Sequence, residues 1–331
     1  MNVFLTLLLD SLRLLRARVL FWITLGISAL VALVYLSIGF TPDGMSILFG
    51  AFDFKSEMFN SESPMAEMMY LGIFSDILVG FWLSWVAVIL AIISCAPIFP
   101  DFMSEGSIGI PLSKPVSRLT LFFYKYIGSL MFVVLQVAIF CLIVFVAIRC
   151  RVGSWNPSVF WAVPIVTLMF SYIYSVVVLV SVKTRSVLAA ILAGVLVWFL
   201  AWGMQKSDDF LYVASHPESV PNVAGMPSMM GSFGSPEEMM KWHKISSMAI
   251  FAMPKTGETT RLMDRLIQVK GAEGGTDKSL VAAATEGDDE VSGRLKKAST
   301  RNSAVYVVGT SLLFEALMLA WAASIFCRRD Y

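Results

Sequence analysis

The chain has 331 residues, of which 57% are hydrophobic and only 15% are charged, and its formal net charge is +1. Soluble globular domains carry about 25% charged residues, so this composition indicates an integral membrane protein. The near-neutral balance, without a basic patch interleaved with aromatic residues, argues against a nucleic-acid-binding protein.

The first segment, residues 2–17, places leucines on one face of a helix and Asp10, Arg13 and Arg16 elsewhere. This pattern is typical of an amphipathic helix that lies in the membrane interface. The alternative is that these residues extend the first span. We expect no cleaved signal peptide, because the arginines follow the first leucines and no small-residue cleavage site comes after them.

Six apolar stretches are long enough to cross a bilayer, for which a helix needs about 20 largely apolar residues. They lie at 19–40, 72–96, 123–148, 157–182, 186–204 and 303–327. Only Lys183, Thr184 and Arg185 separate the fourth from the fifth, which predicts a tight helical hairpin. The predicted fold is therefore an all-α integral membrane protein with six transmembrane helices, an N-terminal interfacial helix and a large extracytoplasmic segment before the last helix.

Lysines and arginines in short loops predict the orientation, because cytoplasmic loops carry an excess of them. With the N-terminus inside, the outer short segments hold only Lys55, Arg149 and Arg151. The inner segments hold Arg13, Arg16, Arg18, Lys114, Arg118, Lys125, Lys183, Arg185, Arg328 and Arg329. This bias predicts a multi-pass protein of the plasma (inner) membrane with both termini and the connection 97–122 in the cytoplasm.

The chain then divides into three parts: residues 1–204 with the first five spans, the outward segment 205–302, and residues 303–331 with the last span and a cytoplasmic tail. The outward segment holds 25 of the 49 charged residues. Within it we predict a helix at 236–253, capped by Ser235 and ended by Pro254, and an amphipathic helix at 258–270. Residues 205–235 read as irregular, and the Gly-, Ala- and charge-rich stretch 271–300 as mobile.

The sequence contains no HExxH or GxSxG motif and no Cys/His spacing typical of a metal site. The stretch GAEGGTDKS at 271–279 differs from a P-loop, because Asp277 precedes the lysine where glycine is needed. We therefore expect no nucleotide site, metal site or enzymatic activity in this chain. Soft thioethers in the outward segment could bind Cu(I), but we interpret them, like the four cysteines, as packing residues. These methionines are Met226, Met229, Met230, Met239, Met240, Met248 and Met253.

Two carboxylates lie inside predicted spans, Asp76 near the outer end of the second and Glu315 midway along the last. A carboxylate at mid-membrane costs about 2.5–3.5 kcal/mol on insertion scales and normally faces a bundle interior or a cavity. Both are candidates for lining a translocation path. The alternative for Glu315 is a hydrogen bond to Ser, Thr or Tyr on a neighbouring helix.

The connection between the second and third spans is unusually rich in proline and glycine. Pro97 and Pro100 are expected to end the second span, and residues 101–105 to form one short helix ended by Gly106. Ser117 is a plausible N-cap of the helix that continues into the third span. We call residues 101–118 the elbow. Its apolar Ile108, Ile110 and Leu112 predict a docking surface for a cytoplasmic protein; the alternative is an ordinary membrane-surface loop.

The stretch 105–128 resembles a loop of the permease subunits of ABC exporters of the type-two class. That loop commonly reads Glu, Gly-Thr or similar, Leu-Leu-Ser-x-Pro-Val-Ser-Arg, then Gly-Lys and the third span. The matching residues here are Glu105, Gly106, Ser107, then Pro111-Leu112-Ser113-Lys114-Pro115-Val116-Ser117-Arg118, then Tyr124-Lys125-Tyr126-Ile127-Gly128. This sequence departs from the pattern in four ways: Ser107 replaces threonine, the spacing between glutamate and glycine is compressed, Pro111 replaces leucine and Tyr124 replaces glycine. The most similar subgroup is the permease component linked with multicopper-enzyme maturation.

The resemblance implies that a separate cytoplasmic ATPase subunit binds ATP and Mg²⁺, and that this chain forms the membrane path with a second permease copy. Closure of the ATPases would push the elbow and shift the bundle between inward and outward states. The residues expected to couple to the ATPase are Glu105, Gly106, Ile108, Ile110, Leu112, Lys114, Pro115 and Arg118.

Two other functions fit the sequence. One is a non-transporting scaffold or mechanotransmitter that binds an extracytoplasmic partner through residues 205–302. The other is an ion-coupled carrier that uses Asp76 and Glu315. Co-purification of an ATPase would favour the permease subunit and the mechanotransmitter over the carrier.

Overall fold

The computed structural model describes residues 19–55, 69–104, 117–153, 155–215, 236–267 and 302–329. The predicted interfacial helix at 2–17, the stretch 271–300 and most of the elbow lie outside the described residues.

Within these ranges, six helices are long and apolar enough to cross a membrane, one at each of the six predicted spans. Their bounds are Val19–Ser37, Met69–Phe102, Arg118–Val152, Pro157–Thr184, Val187–Asp209 and Ala304–Arg328. The second and third extend furthest beyond their predicted bounds, and the third has 35 residues. At about 1.5 Å per residue it is roughly 50 Å long, so it extends beyond a hydrocarbon core of about 30 Å.

The helical elements, numbered in chain order, are as follows. They are α1 (Val19–Ser37), a π-helical segment (Ile73–Val86), α2 (Ala87–Cys95), α3 (Ile98–Phe102), α4 (Arg118–Val152), a 3-10 turn (Pro157–Trp161), α5 (Ala162–Thr184), α6 (Val187–Ser215), α7 (Pro236–Phe251), α8 (Thr256–Leu266) and α9 (Ala304–Arg328).

A small antiparallel sheet, which was not predicted, follows α1; the described part of the chain is otherwise mostly helical, consistent with the predicted all-α class. Its strands β1 (Gly39–Thr41), β2 (Gly44–Ile47) and β3 (Phe52–Lys55) pair in sequence order. The register places Phe40 opposite Met45, and Met45 opposite Phe54. Strands of three or four residues are too short to show a period-two pattern in the sequence, which is why the sheet was not predicted.

The helix α5 forms the centre of the bundle and packs against α9, α6 and α4. In its most apolar stretch 83% of the residues are buried, compared with 22% for the fifth span and 17% for the last, so those two spans lie at the outside of the bundle. Close packing between α5 and α6 depends on Gly194, where a Cβ atom would lie only 2.5 Å from Val177 Cγ2. Small residues allow such approach between membrane helices.

The two helices predicted at 236–253 and 258–270 are found as α7 and α8, although both end earlier than predicted. Residues 205–215, which were predicted to be irregular, belong instead to α6. The predicted cap at Ser235 lies outside the described residues.

The helix α7 runs antiparallel along the end of α6, with His243 Nδ1 3.0 Å from Asp208 Oδ1. The helix α8 packs against α5, the π-helical segment, α6 and α9. Met263 in this helix and Ile267, which directly follows it, are buried. It thus covers one end of the bundle.

Candidate functional site

The described parts of the elbow lie at the end of the bundle opposite α8, which we call the basic end. There α3 begins after Pro97 and buries Phe99 and Phe102. Their rings lie 5.2 Å from that of Phe122 and 6.0 Å from that of Phe326. The short helix α3 therefore packs the end of the second span against α4 and α9.

The predicted short helix at 101–105 is wrong in its position, because α3 covers Ile98–Phe102. Pro97 and Pro100 were expected to stop the helix. The helix α2 does end at Cys95, two residues before Pro97, but one further helical turn, α3, follows. Pro100 lies in the first turn of α3, where its missing N–H group costs no hydrogen bond within the helix. Burial of Phe99 and Phe102, three residues apart on one helical face, favours this position.

The predicted N-cap at Ser117 is confirmed. Its backbone is extended, and its hydroxyl accepts a hydrogen bond of 3.1 Å from the Thr120 amide. A cap of this kind satisfies one of the unpaired N–H groups of the first turn. The elbow therefore ends at a fixed point, and α4 begins at Arg118.

Two arginines link helix ends at the basic end. Arg118 Nη1 donates to the carbonyl oxygens of Arg329 and Cys327, at 2.8 and 3.2 Å. Arg329 Nη1 and Nη2 donate to the carbonyls of Val182 and Lys183, at 2.6 and 3.1 Å. The last carbonyl groups of a helix have no hydrogen-bond donor within the helix and carry a partial negative charge, so a guanidinium group that donates to them is stabilising. Arg118 thereby connects the start of α4 to the ends of α9 and, through Arg329, α5.

The other residues predicted to couple to an ATPase lie outside the described residues: Glu105, Gly106, Ile108, Ile110, Leu112, Lys114 and Pro115. The backbone of Asp76 is in the π-helical segment, but its side chain also falls outside the description. Their roles stay predictions.

Glu315 lies in the core of the bundle, where it joins three helices. Its side chain is 9% exposed. The Tyr126 hydroxyl of α4 is 2.7 Å from Oε1, and the Ser171 hydroxyl of α5 is 2.8 Å from Oε2. Both distances are typical of O–H···O hydrogen bonds. The structure thus shows the hydrogen bonding that the sequence analysis gave as the alternative for Glu315.

Further polar contacts, which the sequence analysis missed, continue through the core. The Tyr174 hydroxyl lies 2.8 Å from Ser129 Oγ and donates to the Cys95 carbonyl at 3.2 Å. Gln136 donates to Ser28 at 3.1 Å, between α4 and α1. Polar residues within apolar spans commonly form hydrogen bonds to neighbouring helices. The position of Gln136 inside the third predicted span therefore indicated a hydrogen bond of this kind.

Gln205 on α6 holds the turn that leads into α8. Its Nε2 donates to the Pro254 carbonyl at 3.0 Å, and its Oε1 accepts from the Gly257 amide at 2.8 Å. A Cβ atom at Gly257 would lie 2.7 Å from that Oε1. The amide and the glycine therefore fix the position of α8 on the bundle.

Lys255, in the same turn, is buried at 1% exposure. Its Nζ donates to Thr310 Oγ1 at 2.8 Å and lies 4.6 Å from the ring centroid of Tyr306. Burial lowers the pKa of Lys255 below its ordinary value, and the negative charge of Glu258 partly opposes this. The lysine therefore anchors α8 to the start of α9 at an electrostatic cost.

We predict that Lys255→Met is more heat-stable than the wild type at neutral pH. Methionine fills the space of the lysine stem without a charge to desolvate. Because the pKa of Lys255 is lowered on folding, the unfolded chain binds more protons, and the wild type gains stability as pH rises toward the ordinary lysine value. The unfolding temperatures of the wild type and of Lys255→Met should therefore approach each other as the pH is raised from neutral to alkaline. A constant difference would contradict the prediction.

Within the described ranges, no group of three His, Cys, Asp or Glu side chains is placed to hold a metal ion. Comparisons with protein-family models, with curated proteins and with solved structures find no match to this chain. Two regions are candidates for function. One is the elbow at the basic end, and the other is buried Glu315 with its hydrogen-bond partners Tyr126 and Ser171.

Proposed function

We propose that this chain is the membrane-spanning permease subunit of an ATP-driven exporter and that a separate ATPase subunit binds its elbow. The observation that carries the proposal is the way the elbow is attached. One of its ends continues from α3, and the other is the capped start of α4, where Arg118 bonds to the end of α9. The resemblance of residues 105–128 to the permease loop supports the same assignment.

Coupling through this arrangement is mechanical. Force on the elbow reaches the second span through α3 and acts on α4 directly. The bonds of Arg118 and Arg329 pass it on to α9 and α5. Packed helices transmit such displacements as rigid bodies, and the ATPase must contact the two states differently to shift their equilibrium. Substrate would move between this chain and a second copy.

A mechanotransmitter is the second candidate, and the position of α8 favours it. This helix covers one end of the bundle, and Gln205 and Lys255 fix it there. A chain of this kind would pass ATPase-driven movement to α7 and α8, and from there to an extracytoplasmic partner, without carrying a substrate. Both functions need the same ATPase contact at the elbow.

The test is purification of the tagged full-length chain from membranes in mild detergent. We expect a second polypeptide that binds a photoreactive ATP analogue, together with Mg²⁺-dependent ATP hydrolysis. Reconstitution into vesicles then separates the candidates, because an exporter shows ATP-dependent substrate movement and a mechanotransmitter shows only ATP-dependent movement of α7 and α8. A chain that purifies without nucleotide binding or hydrolysis would contradict both.

The orientation can be tested with two introduced cysteines in a background where Cys150 and Cys327 are serine. Thr184 and Ser303 are exposed and lie at opposite ends of the bundle. We expect Ser303→Cys to react with an impermeant thiol reagent added to intact cells, and Thr184→Cys to react only after the membrane is opened. The reverse pattern would place the elbow outside and remove the basis for ATPase docking.

A further inference from the structure

The small sheet after α1 has two chemically different faces. In an antiparallel sheet, residues directly opposite each other share a face, and successive residues along a strand alternate between the faces. The register places Met45 between Phe40 and Phe54, and it pairs Ile47 with Phe52 on the same side. We call this side the apolar face. The opposite face carries small or polar residues, which are Gly39, Thr41, Gly44, Ser46, Asp53 and Lys55.

The polar face lies toward the end of α4. Ser46 on this face is buried. A Cβ atom at Gly39, on the same face, would lie 3.0 Å from Arg151 Nη1. Arg151 also donates through Nε and Nη2 to the Leu36 carbonyl near the end of α1, at 3.3 and 3.1 Å. The sheet is therefore attached to the bundle through its polar face.

The apolar face is exposed over much of its area. At one edge Phe40 packs edge-on against the buried ring of Tyr70, at the start of the second span, with the ring centroids 6.2 Å apart. At the other edge Phe52 and Phe54 are 57% and 54% exposed. A contiguous exposed apolar surface commonly marks a site of contact with a membrane or with another protein.

The turn between β2 and β3 adds two exposed apolar side chains, those of Leu48 and Phe49, at 47% and 69% exposure. Both residues have positive φ, of 55° and 57°, a conformation that is uncommon for bulky residues. Ser37, the last residue of α1, holds this turn. Its hydroxyl accepts from the Leu48 amide at 3.2 Å, and its carbonyl accepts from the Phe49 amide at 3.3 Å. The turn is thereby bound to the end of a membrane-spanning helix.

The length of α1 indicates how deep the sheet lies in a bilayer. The 19 residues of α1 rise by about 28 Å, close to the hydrocarbon thickness of roughly 30 Å. Ser37 therefore lies near the boundary between acyl chains and headgroups, and β1 begins two residues later. The exposed Trp155 and Trp161, which follow α4 at the same end of the bundle, suit this boundary, where tryptophan is enriched.

We propose that the apolar face of the sheet and its turn bind the phospholipid surface of the leaflet opposite the basic end. Phe49, Phe52 and Phe54 insert at the boundary of headgroups and acyl chains, and the removal of their apolar surface from water drives the insertion. Through Phe40 and Arg151 the sheet then anchors the second span and α4 at the same depth as α1. This inference does not depend on an ATPase partner.

The test places a fluorophore on adjacent residues of β3 in the full-length chain, in the background where Cys150 and Cys327 are serine. Phe52→Cys and Phe54→Cys, with Asp53→Cys as the matched control on the other face, are labelled with the fluorophore NBD and reconstituted into phosphatidylcholine nanodiscs. We expect nitroxide-labelled phospholipids to quench the label at positions 52 and 54, and iodide in the buffer to quench it at position 53.

Two results of this experiment would overturn the proposal. Quenching without alternation between adjacent positions would show that the two faces of β3 do not differ in their contact with lipid. Protection of positions 52 and 54 from both quenchers would show that protein, and not lipid, covers the apolar face.

Photocrosslinking in native membranes provides a second test that needs no cysteine background. A photoreactive amino acid at Phe49 of the full-length chain should form adducts with phospholipid, detected by mass spectrometry, and the same amino acid at Asp53 should form none. An adduct between Phe49 and a second copy of this chain, or another polypeptide, would overturn the proposal and identify the apolar face as a protein interface.

Discussion

Aspartate in place of Ile110 or Leu112 is expected to abolish ATP hydrolysis coupled to this chain, while the chain still inserts and dimerises. Protein interfaces have an apolar centre with a polar rim, and a few central anchors cost more than about 1 kcal/mol each when truncated. A charge at such an anchor costs more, because it must be desolvated without a partner. Ile108, Ile110 and Leu112 are the residues predicted to form the apolar centre of the elbow, so the two variants place a charge at that centre.

The measurement is recovery of the ATPase with each tagged variant, together with ATP turnover in membranes. Glu105→Lys is the matched control. As a rim charge it should weaken coupling less, with an effect that diminishes at high salt. Unchanged unfolding temperatures of the purified variants would show that the loss is one of docking. Normal ATPase recovery and turnover in both aspartate variants would identify the elbow as an ordinary surface loop.

Leucine in place of Gly194 is expected to prevent correct assembly of the bundle. A Cβ atom at this position would lie 2.5 Å from Val177 Cγ2 and 3.7 Å from Ile173 Cγ2, so α5 and α6 would have to separate. Ala190, one turn earlier on the same face and fully buried, shows that the approach continues along the helix. Overpacking of a well-packed core commonly costs about 1–3 kcal/mol, and here the backbones themselves must shift.

Gly203→Leu is the matched control on the same helix, because nothing lies within 4 Å of a Cβ atom there. Leucine has a helix propensity higher than that of glycine by up to about 1 kcal/mol, so this variant should be neutral or stabilising. We expect Gly194→Leu to lower the monodisperse fraction on size exclusion and the unfolding temperature, and Gly203→Leu to preserve both. Equal behaviour of the two variants would contradict the packing of α5 on α6.

The elements that local sequence determines were predictable. A run of about 20 apolar residues has few alternatives to a membrane-spanning helix, which is why all six spans are found. The cap at Ser117 and the helices α7 and α8 followed from short-range signals in the same way. Their bounds were less certain, since helix ends depend on what the last turn can pack against.

The features that the sequence did not reveal depend on tertiary contacts. The position of α3 follows from the burial of Phe99 and Phe102 against distant helices. The bonds of Glu315 to Tyr126 and Ser171 bring together residues separated by 189 and 144 positions. The carbonyl-binding role of Arg118 was hidden for the same reason, because a loop arginine gives no indication of which helix end it will meet.

A photoreactive amino acid at Ile110 tests the central proposal most directly. Placed in the full-length chain and illuminated in native membranes, it should form a covalent adduct with a polypeptide that also binds a photoreactive ATP analogue. The same substitution at Leu196, an exposed residue of α6 that we assign to the lipid-facing surface, should yield no such adduct. If Ile110 gives only adducts with lipid, or none, while the chain is folded and inserted, the elbow does not bind an ATPase.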